Sequence, residues 1–267
     1  MIKTPDSTGL YQFENLKAKV GLRHFVTSRQ GGVSQAPYQS MNLGLHTADN
    51  TDNVLTNRNI LANVTGIGKE NFLYASQIHS GDVLIVDEKA VAGGILTANP
   101  PTDAMVTNLT GICLMVMVAD CVPVLLYDAS KRVTAVIHAG WRGTVKQITV
   151  NTIHAMVERY ACRPEDILAA IGPSIGPCCY EVGNEVKDEV IKNLGSADGI
   201  LIAGKNSAKP VFDLWSANRK QLIDSGVKPE NIETAAFCTK CNDGVFYSSR
   251  AASGITGRFA AGMYLEP

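Results

Sequence analysis

Residues 119–144 read ADCVPVLLYDASKRVTAVIHAGWRGT, and the fold prediction starts from them. Two apolar runs, 119–127 and 133–138, flank a short polar segment and predict a β-hairpin. Cys121 and His138 lie at its open end, placed symmetrically about the middle of that segment. Directly opposed residues of an antiparallel pair have Cβ atoms about 4.5–5.5 Å apart, close enough to share a metal ion or to form a thiolate–imidazole pair. A shift of one residue would place them on opposite faces, so their pairing depends on the register.

The size and charge of the chain restrict its class. Its 267 residues, 45% hydrophobic and 18% charged, can bury a substantial core and suit a soluble globular protein. The net charge of −1 gives no electrostatic reason to expect nucleic acid or an anionic membrane as partner. The N-terminus has no apolar signal segment, and the seven cysteines are an odd number. We therefore expect reduced thiols, a cytoplasmic protein and one domain over residues 1–267.

Apolar runs on both sides of the hairpin predict further strands and helices. Strands are expected at 22–27, 72–78, 83–86, 104–107, 112–118, 167–171 and 232–237. The strand at 83–86 is expected to pair with the one at 72–78. Helices are expected at 53–64 with Thr51 or Asp52 as N-cap, at 145–160 with Thr144 as N-cap, at 185–194, and at 213–225 with Asp213 as cap. Because many strands are adjacent in sequence, an α+β fold is favoured over a doubly wound sheet.

His79, Cys121 and His138 each lie at the end of a predicted strand, where side chains of neighbouring strands can converge. One cysteine and two histidines with a fourth position left open form a catalytic type of zinc site. Water on such a zinc ion has a pKa of about 7, which makes hydroxide available at neutral pH. The same residues also suit a Cys121 nucleophile with His138 as base, or a purely structural role. Asp120 could orient one of the histidines or stabilise the hairpin.

The segment 138–144 predicts a strand–loop–helix junction with two glycines. Helix N-termini present free backbone N–H groups and bind anions, and an arginine adds a bidentate donor for phosphate. Arg142 is therefore a candidate phosphate ligand. The alternative is an ordinary turn with a solvated arginine.

Four further cysteines form two short motifs. Cys238 and Cys241 make a CxxC pair, which would need a second such pair to hold a structural zinc ion. Cys178 and Cys179 are adjacent and lack that spacing. The turn predicted at 242–244 leaves no helix for a thioredoxin-like motif. We therefore expect Cys238 and Cys241 to be incidental thiols, and Cys178 and Cys179 to shape a pocket wall.

The chain lacks the motifs of multicopper oxidases and of zinc nucleobase deaminases. The chain has five histidines, no two of them separated by a single residue, which is too few for a multicopper centre. The HxE and PCxxC motifs of zinc nucleobase deaminases are also missing.

Several motifs occur together in an order that resembles one family, the laccase-domain purine nucleoside phosphorylases, also called the YfiH family. The resemblance covers about residue 20 to the C-terminus and depends most on HAGWRGT together with ADC. The motifs are Asn42-Leu43-Gly44, Ser76-Gln77-Ile78-His79, Ala119-Asp120-Cys121-Val122-Pro123, His138 to Thr144, Ile171-Gly172-Pro173 with Gly176-Pro177, and Thr256-Gly257-Arg258.

The resemblance implies a four-layer α/β/β/α sandwich of mixed sheets and a single Zn²⁺ per chain held by His79, Cys121 and His138. The implied activity is phosphorolysis of adenosine, inosine, guanosine and S-methyl-5′-thioadenosine to base and ribose 1-phosphate, with adenosine deamination. Purine nucleosides and phosphate are then the partners, and both a monomer and a homodimer remain open.

For substrate binding, the matching motifs indicate Asn42, Gln77 and Arg258. Arg142 is the first choice for phosphate, with Arg250 and Arg258 as rivals. His79, Cys121, His138 and Asp120 form the predicted catalytic group.

Two other functions are compatible with the sequence. The first is a thiol hydrolase that uses Cys121 and His138 on an amide or a cell-wall precursor, since some bacterial members of the family are described as peptidoglycan editing factors. The second is a non-catalytic module that binds a nucleotide-like ligand. Activity without metal would favour the hydrolase, and binding without turnover would favour the module.

Overall fold

The structure, a computed structural model, describes residues 1–4, 9–194, 197–204 and 209–267. The strands in these ranges are β1 (Ile2–Lys3), β2 (Tyr11–Gln12), β3 (Leu22–Val26), β4 (Phe72–Tyr74), β5 (Val83–Ile85), β6 (Ala104–Thr107), β7 (Cys113–Val118), β8 (Val122–Asp128), β9 (Val133–Ala139), β10 (Ile167–Ile171), β11 (Leu201–Ile202), β12 (Val211–Phe212), β13 (Ile232–Thr234) and β14 (Phe259–Leu265). The helices are α1 (Glu14–Lys17), α2 (Thr51–Thr65), α3 (Glu88–Ala92), α4 (Ile95–Ala98), α5 (Trp141–Val145), α6 (Ile148–Tyr160), α7 (Asn184–Leu194) and α8 (Leu214–Asp224). None of the helices described is both long and apolar enough to cross a membrane.

Two mixed six-stranded sheets form the centre of the fold. The first sheet has the order β1-β2-β3-β14-β7-β4, and the second has the order β13-β10-β8-β9-β6-β5. Most neighbours are antiparallel, but β4 runs parallel to β7, β5 to β6, and β13 to β10. The predicted hairpin, β8 with β9, therefore lies in the middle of the second sheet, between β10 and β6.

Side chains alternate between the two faces of each central strand and thereby build two separate layers of core. On β8, Val124 and Leu126 pack against the helical layer that contains α6, α7 and α8. Leu125 and Tyr127 of the same strand pack against the first sheet. The outer face of the first sheet packs on α2, for example through Leu61. The order of layers is α/β/β/α, which confirms the predicted α+β sandwich.

The hairpin is confirmed, but its register differs by two residues from the symmetric pairing of Cys121 with His138. His138 pairs with Pro123 instead, and Cys121 lies just before β8 begins. The turn is displaced because the Asp128 carboxylate accepts hydrogen bonds from the backbone N–H and the hydroxyl of Ser130. A displacement of two residues preserves the face of a strand, so the two side chains still lie on the same side of the sheet.

The predicted pairing of 72–78 with 83–86 is wrong. The first strand ends at Tyr74 and pairs with β7, whereas β5 pairs with β6 in the other sheet. The strand cannot continue through residues 78–80 because their backbone N–H groups bond to the Asp103 carboxylate rather than to a neighbouring strand. Residues 75–82 therefore carry the chain from the first sheet to the second.

Three further differences concern the ends and continuity of elements. The predicted helix 145–160 is divided at Gln147, which has a positive φ of 59°, so that Thr144 lies inside α5 and is not an N-cap. Asn50, rather than Thr51 or Asp52, caps α2, whereas Asp213 caps α8 as predicted.

One central strand was not foreseen. The apolar run of β14 lies between β3 and β7 in the first sheet, next to the C-terminal motif Thr256-Gly257-Arg258.

Candidate metal centre and catalytic cavity

The candidate site lies where the chain crosses between the sheets. Residues 75–82 and residues 119–121 both pass from the first sheet to the second, and they carry His79 and Cys121. His79 and Asp120 have positive φ values of 58° and 91°. Such backbone conformations cost a non-glycine residue about 1–3 kcal/mol and cluster at functional sites. The crossings are therefore strained where the predicted site residues lie.

Three side chains that could bind a metal ion converge at these crossings. The donor atoms of His79, Cys121 and His138 all lie within 4.8 Å of one another. The Cys121 Sγ atom is 3.9 Å from His79 Nε2. A tetrahedral zinc ion with its usual bond lengths separates a sulfur and a nitrogen ligand by about 3.6 Å. The three residues therefore fit the predicted zinc ion, and a tetrahedral ion held by them would have its fourth position open.

Asp103 orients this donor set, a role that the sequence did not reveal. Its fully buried carboxylate lies 2.8 Å from His138 Nδ1 and accepts the backbone N–H groups of His79 and Ser80, at 3.0 and 2.7 Å. Burial alone would raise its pKa, but the bonds from His138 and the backbone lower that pKa to about 2. With Nδ1 engaged, His138 presents Nε2 to a metal ion. The signal in the sequence was a carboxylate directly before the buried strand β6.

The charges of Cys121 and His138 are coupled. Burial would raise the pKa of the Cys121 thiol, but the adjacent His138 and His79 lower that pKa to about 6. Burial would lower the pKa of His138, whereas Cys121 and Asp103 raise it to about 9. Both shifts favour the form of the pair in which Cys121 is a thiolate and His138 an imidazolium. The thiolate is the form of cysteine that binds zinc and that acts as a nucleophile.

Gly140 leaves the space that the donor set needs. A Cβ atom on this residue would lie 2.9 Å from Cys121 Sγ and 3.1 Å from His79 Cδ2. Both distances are shorter than a normal van der Waals contact, so the glycine in the sequence 138–144 is explained by the ligands it adjoins.

The donor set opens into a cavity of about 800 Å³, within the range of small-molecule binding sites. The predicted residues Gln77, Asp120 and Arg258 line it together with the three donors, and so does Arg250. The other lining residues are His46, Ala75, Ser76, Met117, Ala119, Ile175, Tyr180, Ser249 and Ser253.

Two predicted substrate-binding residues do not line the cavity. Asn42 is fully buried, and its amide bonds to Thr47, Asp49 and the backbone N–H groups of Gly44 and Arg258. It therefore holds the backbone of the C-terminal motif rather than a ligand.

Arg142 also lies outside the cavity lining. Its guanidinium group packs over the Trp141 ring, 4.2 Å from the ring centroid, and the residue is exposed. The rival arginines, Arg250 and Arg258, are the ones that line the cavity.

The polar groups of Gln77 and Asp120 are engaged with the chain. The Gln77 amide makes a pair of hydrogen bonds with the backbone of Met117, at 2.7 and 2.8 Å. The Asp120 carboxylate accepts the Thr239 hydroxyl and the Arg250 backbone N–H, each at 2.6 Å. Both oxygens of Asp120 are thus engaged away from the histidines, and the carboxylate that bonds to the His138 ring is that of Asp103.

The four cysteines expected to be unrelated lie together. The sulfur atoms of Cys178, Cys179, Cys238 and Cys241 are within 4.8 Å of one another, so the interpretation of the CxxC pair as incidental thiols has to be revised. Residues 178–179 and 238–241 meet because Ser174 and Cys238 form an isolated parallel bridge.

Replacing Asp103 with asparagine is expected to weaken zinc binding about 10- to 100-fold, the usual cost of losing a carboxylate that supports a histidine ligand. The amide would be neutral and would no longer favour the present orientation of His138. Competition with a zinc chelator would measure the affinity. Asp128→Asn is a matched control, since Asp128 is also fully buried but lies at the hairpin turn. Equal zinc affinities in the two variants would contradict the role of Asp103.

Comparison with known proteins gives the family of the chain. The profile of the family described as "Multi-copper polyphenol oxidoreductase laccase" matches residues 23–266. A "Purine nucleoside phosphorylase" of Bacteroides thetaiotaomicron is 33% identical over the full length of both chains. "Adenosine deaminase RL5", from an unknown prokaryotic organism, is 34% identical and is aligned over 96% of this chain and 98% of its own.

A solved structure has the same fold. The "hypothetical protein YfiH" of Bacillus licheniformis superposes with a TM-score of 0.86, at 32% identity, over 92% of this chain and 93% of that one. The chain therefore belongs to the family described as multi-copper polyphenol oxidoreductase laccase, which is the YfiH family that its motifs resemble.

Proposed function

We propose that this protein is a zinc-dependent purine nucleoside phosphorylase that also deaminates adenosine. Its substrates would be adenosine, inosine, guanosine and S-methyl-5′-thioadenosine, together with phosphate. The observation that carries the proposal is the donor set of His79, Cys121 and His138, which opens into a cavity lined by two arginines. The names of the two relatives, a phosphorylase and a deaminase, support it. The copper chemistry in the family description would need more histidines than this cavity offers.

Each side chain of the donor set has a distinct part in this proposal. Cys121 would bind a single zinc ion as the thiolate, and His79 and His138 would bind it as neutral imidazoles. When bound, zinc would act as a Lewis acid and lower the pKa of a coordinated water. Asp103 keeps His138 in the required tautomer, and Asp120 positions the backbone of Arg250.

The two arginines of the cavity are the proposed phosphate ligands. Arg258 uses its Nη1 atom to bond the carbonyl oxygens of Thr256 and Gly257, and Arg250 uses Nη1 to bond that of Glu181. A guanidinium group has five N–H donors in a fork that matches phosphate. These bonds therefore fix both groups while leaving donors on other nitrogens for an anion.

The two reactions share one substrate orientation. In phosphorolysis a phosphate oxygen forms a bond to C1′ of the ribose, the C1′–N9 bond breaks, and the purine leaves with a proton. In deamination water adds to C6 of adenosine and ammonia leaves. The purine would face the donor set while the ribose and phosphate face Arg250 and Arg258.

The direct test is to incubate purified, metal-analysed protein with adenosine, with and without phosphate, and to separate the products by chromatography. We expect adenine and ribose 1-phosphate only when phosphate is present, and inosine in both cases. If the zinc-loaded protein forms no product with any of the four nucleosides, the proposal is refuted.

Substitution of the arginines should separate phosphate binding from deamination. Arg258→Ala or Arg250→Ala is expected to raise the phosphate KM about 10- to 100-fold, since a bond between charged groups contributes about 1.5–3 kcal/mol. The deamination rate should change much less. Arg142→Ala is the matched control, because Arg142 is exposed outside the cavity lining. A selective effect of Arg142→Ala alone would instead restore the assignment made from the sequence.

A thiol hydrolase acting on an amide or a peptidoglycan precursor is the second candidate. It is favoured by the thiolate–imidazolium pair of Cys121 and His138, since transfer of the thiol proton to a histidine activates a nucleophilic cysteine. The hydrolase would work after zinc removal and would be inactivated by thiol alkylation. We also propose a cytoplasmic location, because the seven cysteines are free thiols.

A further inference from the structure

We propose that Cys178, Cys179, Cys238 and Cys241 bind a second zinc ion, which has a structural role. This site is separate from the His79–Cys121–His138 donor set and does not depend on the proposed activity. The four sulfur atoms lie within 4.8 Å of one another, on two chain segments about 60 residues apart in sequence.

Two of the sulfur–sulfur distances are close to those of a tetrahedral zinc site. Cys241 Sγ is 3.6 Å from Cys178 Sγ and 3.5 Å from Cys179 Sγ. Four thiolates at the usual zinc–sulfur distance would be separated by about 3.8 Å. A disulfide would instead bring one pair to about 2.05 Å and leave two thiols without a role. The near-equal distances from Cys241 to two partners therefore favour a shared ion over a bond.

Hydrogen bonds hold the two segments in place without the ion. The backbone N–H of Thr239 donates to the Ser174 carbonyl oxygen at 3.0 Å, and Asn242 donates to the Cys238 carbonyl oxygen from both its backbone and its side chain.

The four cysteines indicate which metal ion would bind. Four soft thiolates in a tetrahedral arrangement favour zinc or iron over magnesium, calcium or manganese, and a closed set of four protein ligands is typical of a structural zinc site. Cys238 is buried and Cys179 is partly buried, whereas Cys178 and Cys241 are exposed, which gives an ion a path from solvent. The site next to Gly140 differs because its three donors leave a position open.

The proposed ion would connect two walls of the catalytic cavity. Thr239, between two of the cysteines, donates to the Asp120 carboxylate next to Cys121. Tyr180, which follows Cys179, lines the cavity. Losing the ion should therefore loosen the cavity wall and lower thermal stability while the donor set for the catalytic zinc stays intact.

Metal analysis of the full-length, zinc-loaded protein tests the proposal. We expect about two zinc ions per chain in the wild type, and about one in Cys241→Ser and in Cys178→Ser. Cys121→Ser should also keep about one, and X-ray absorption at the zinc edge should show four sulfur neighbours in that variant. The ion left in Cys241→Ser should have mainly nitrogen neighbours and a single sulfur. Cys162→Ser is the control, because Cys162 is a buried free thiol outside both clusters and should keep both ions.

Several results would overturn this proposal. One is a wild-type protein that binds a single zinc ion together with a Cys241→Ser variant that binds as much zinc as the wild type. Another is a count of accessible thiols two short of seven in the denatured protein, which would indicate a disulfide. Iron in place of zinc would refute the identity of the metal. If Cys121→Ser kept two ions while Cys241→Ser lost one, the four-cysteine site would be supported. The proposal that Cys121 binds a catalytic zinc ion would then be refuted.

Discussion

Replacing Cys121 with serine is expected to remove one zinc ion per chain and to lower phosphorolysis and deamination at least about 100-fold. A serine hydroxyl does not ionise at neutral pH and is a poor zinc ligand, whereas the Cys121 pKa of about 6 makes the thiolate available. The change is nearly isosteric, so the packing beside Gly140 should be preserved. Metal analysis and steady-state rates with adenosine, with and without phosphate, would measure the two effects.

The choice of control separates this effect from damage to the fold. Cys162→Ser alters a buried thiol that lies away from the cavity, and it should keep both activities and the metal content. A Cys121→Ser protein that kept the full zinc content of the wild type and turned over adenosine at the wild-type rate would place the active site elsewhere. If it kept that zinc content but lost activity, Cys121 would act as a nucleophile, as in the thiol hydrolase.

Adding a single methyl group at Gly140 is expected to be nearly as damaging. The Cβ atom of Gly140→Ala would lie 2.9 Å from Cys121 Sγ and 3.1 Å from His79 Cδ2, so at least one ligand must move. Overpacking of a rigid site costs about 1–3 kcal/mol, which corresponds to roughly a 5- to 150-fold loss of zinc affinity if the zinc-bound state alone bears the cost. Zinc affinity by chelator competition and kcat/KM for adenosine would detect the displacement.

Gly244→Ala is the matched control for this substitution. A Cβ atom at Gly244 would have nothing within 4 Å, and this glycine does not have a positive φ. The control should therefore bind zinc normally and remain fully active. Unchanged zinc affinity in Gly140→Ala would show that the donor atoms can shift without cost, which would weaken the case for a tightly arranged metal centre.

The two substitutions act on one geometry from different directions. Cys121→Ser removes the donor and keeps the space, whereas Gly140→Ala keeps the donor and fills the space. Asp103→Asn, in turn, keeps both but releases His138 from its carboxylate partner. If all three variants bind zinc more weakly, each by a different amount, then the fold contributes to zinc binding by holding the ligands in position before the ion binds.

The sequence by itself predicted most of the local elements and the residues of the candidate site. The hairpin of β8 and β9 follows from two apolar runs around a polar turn, a pattern that depends only on neighbouring residues. His79, Cys121 and His138 were recognisable because zinc requires particular donor atoms, and because the motifs around them are specific to one family. The apolar run of β8 is continuous, and both faces of that strand are buried.

Only the tertiary structure decided which distant residues meet. The strands β4 and β5 are close in sequence but belong to different sheets. The pairing of β6 with β9 brings Asp103 to His138 across 35 residues. The same packing brings Cys179 to Cys241 across 62 residues and excludes Asn42 from the cavity. Such contacts follow from how two sheets stack and where the chain crosses between them. Local periodicity carries no information about that stacking, because each strand has the same pattern whichever sheet it joins.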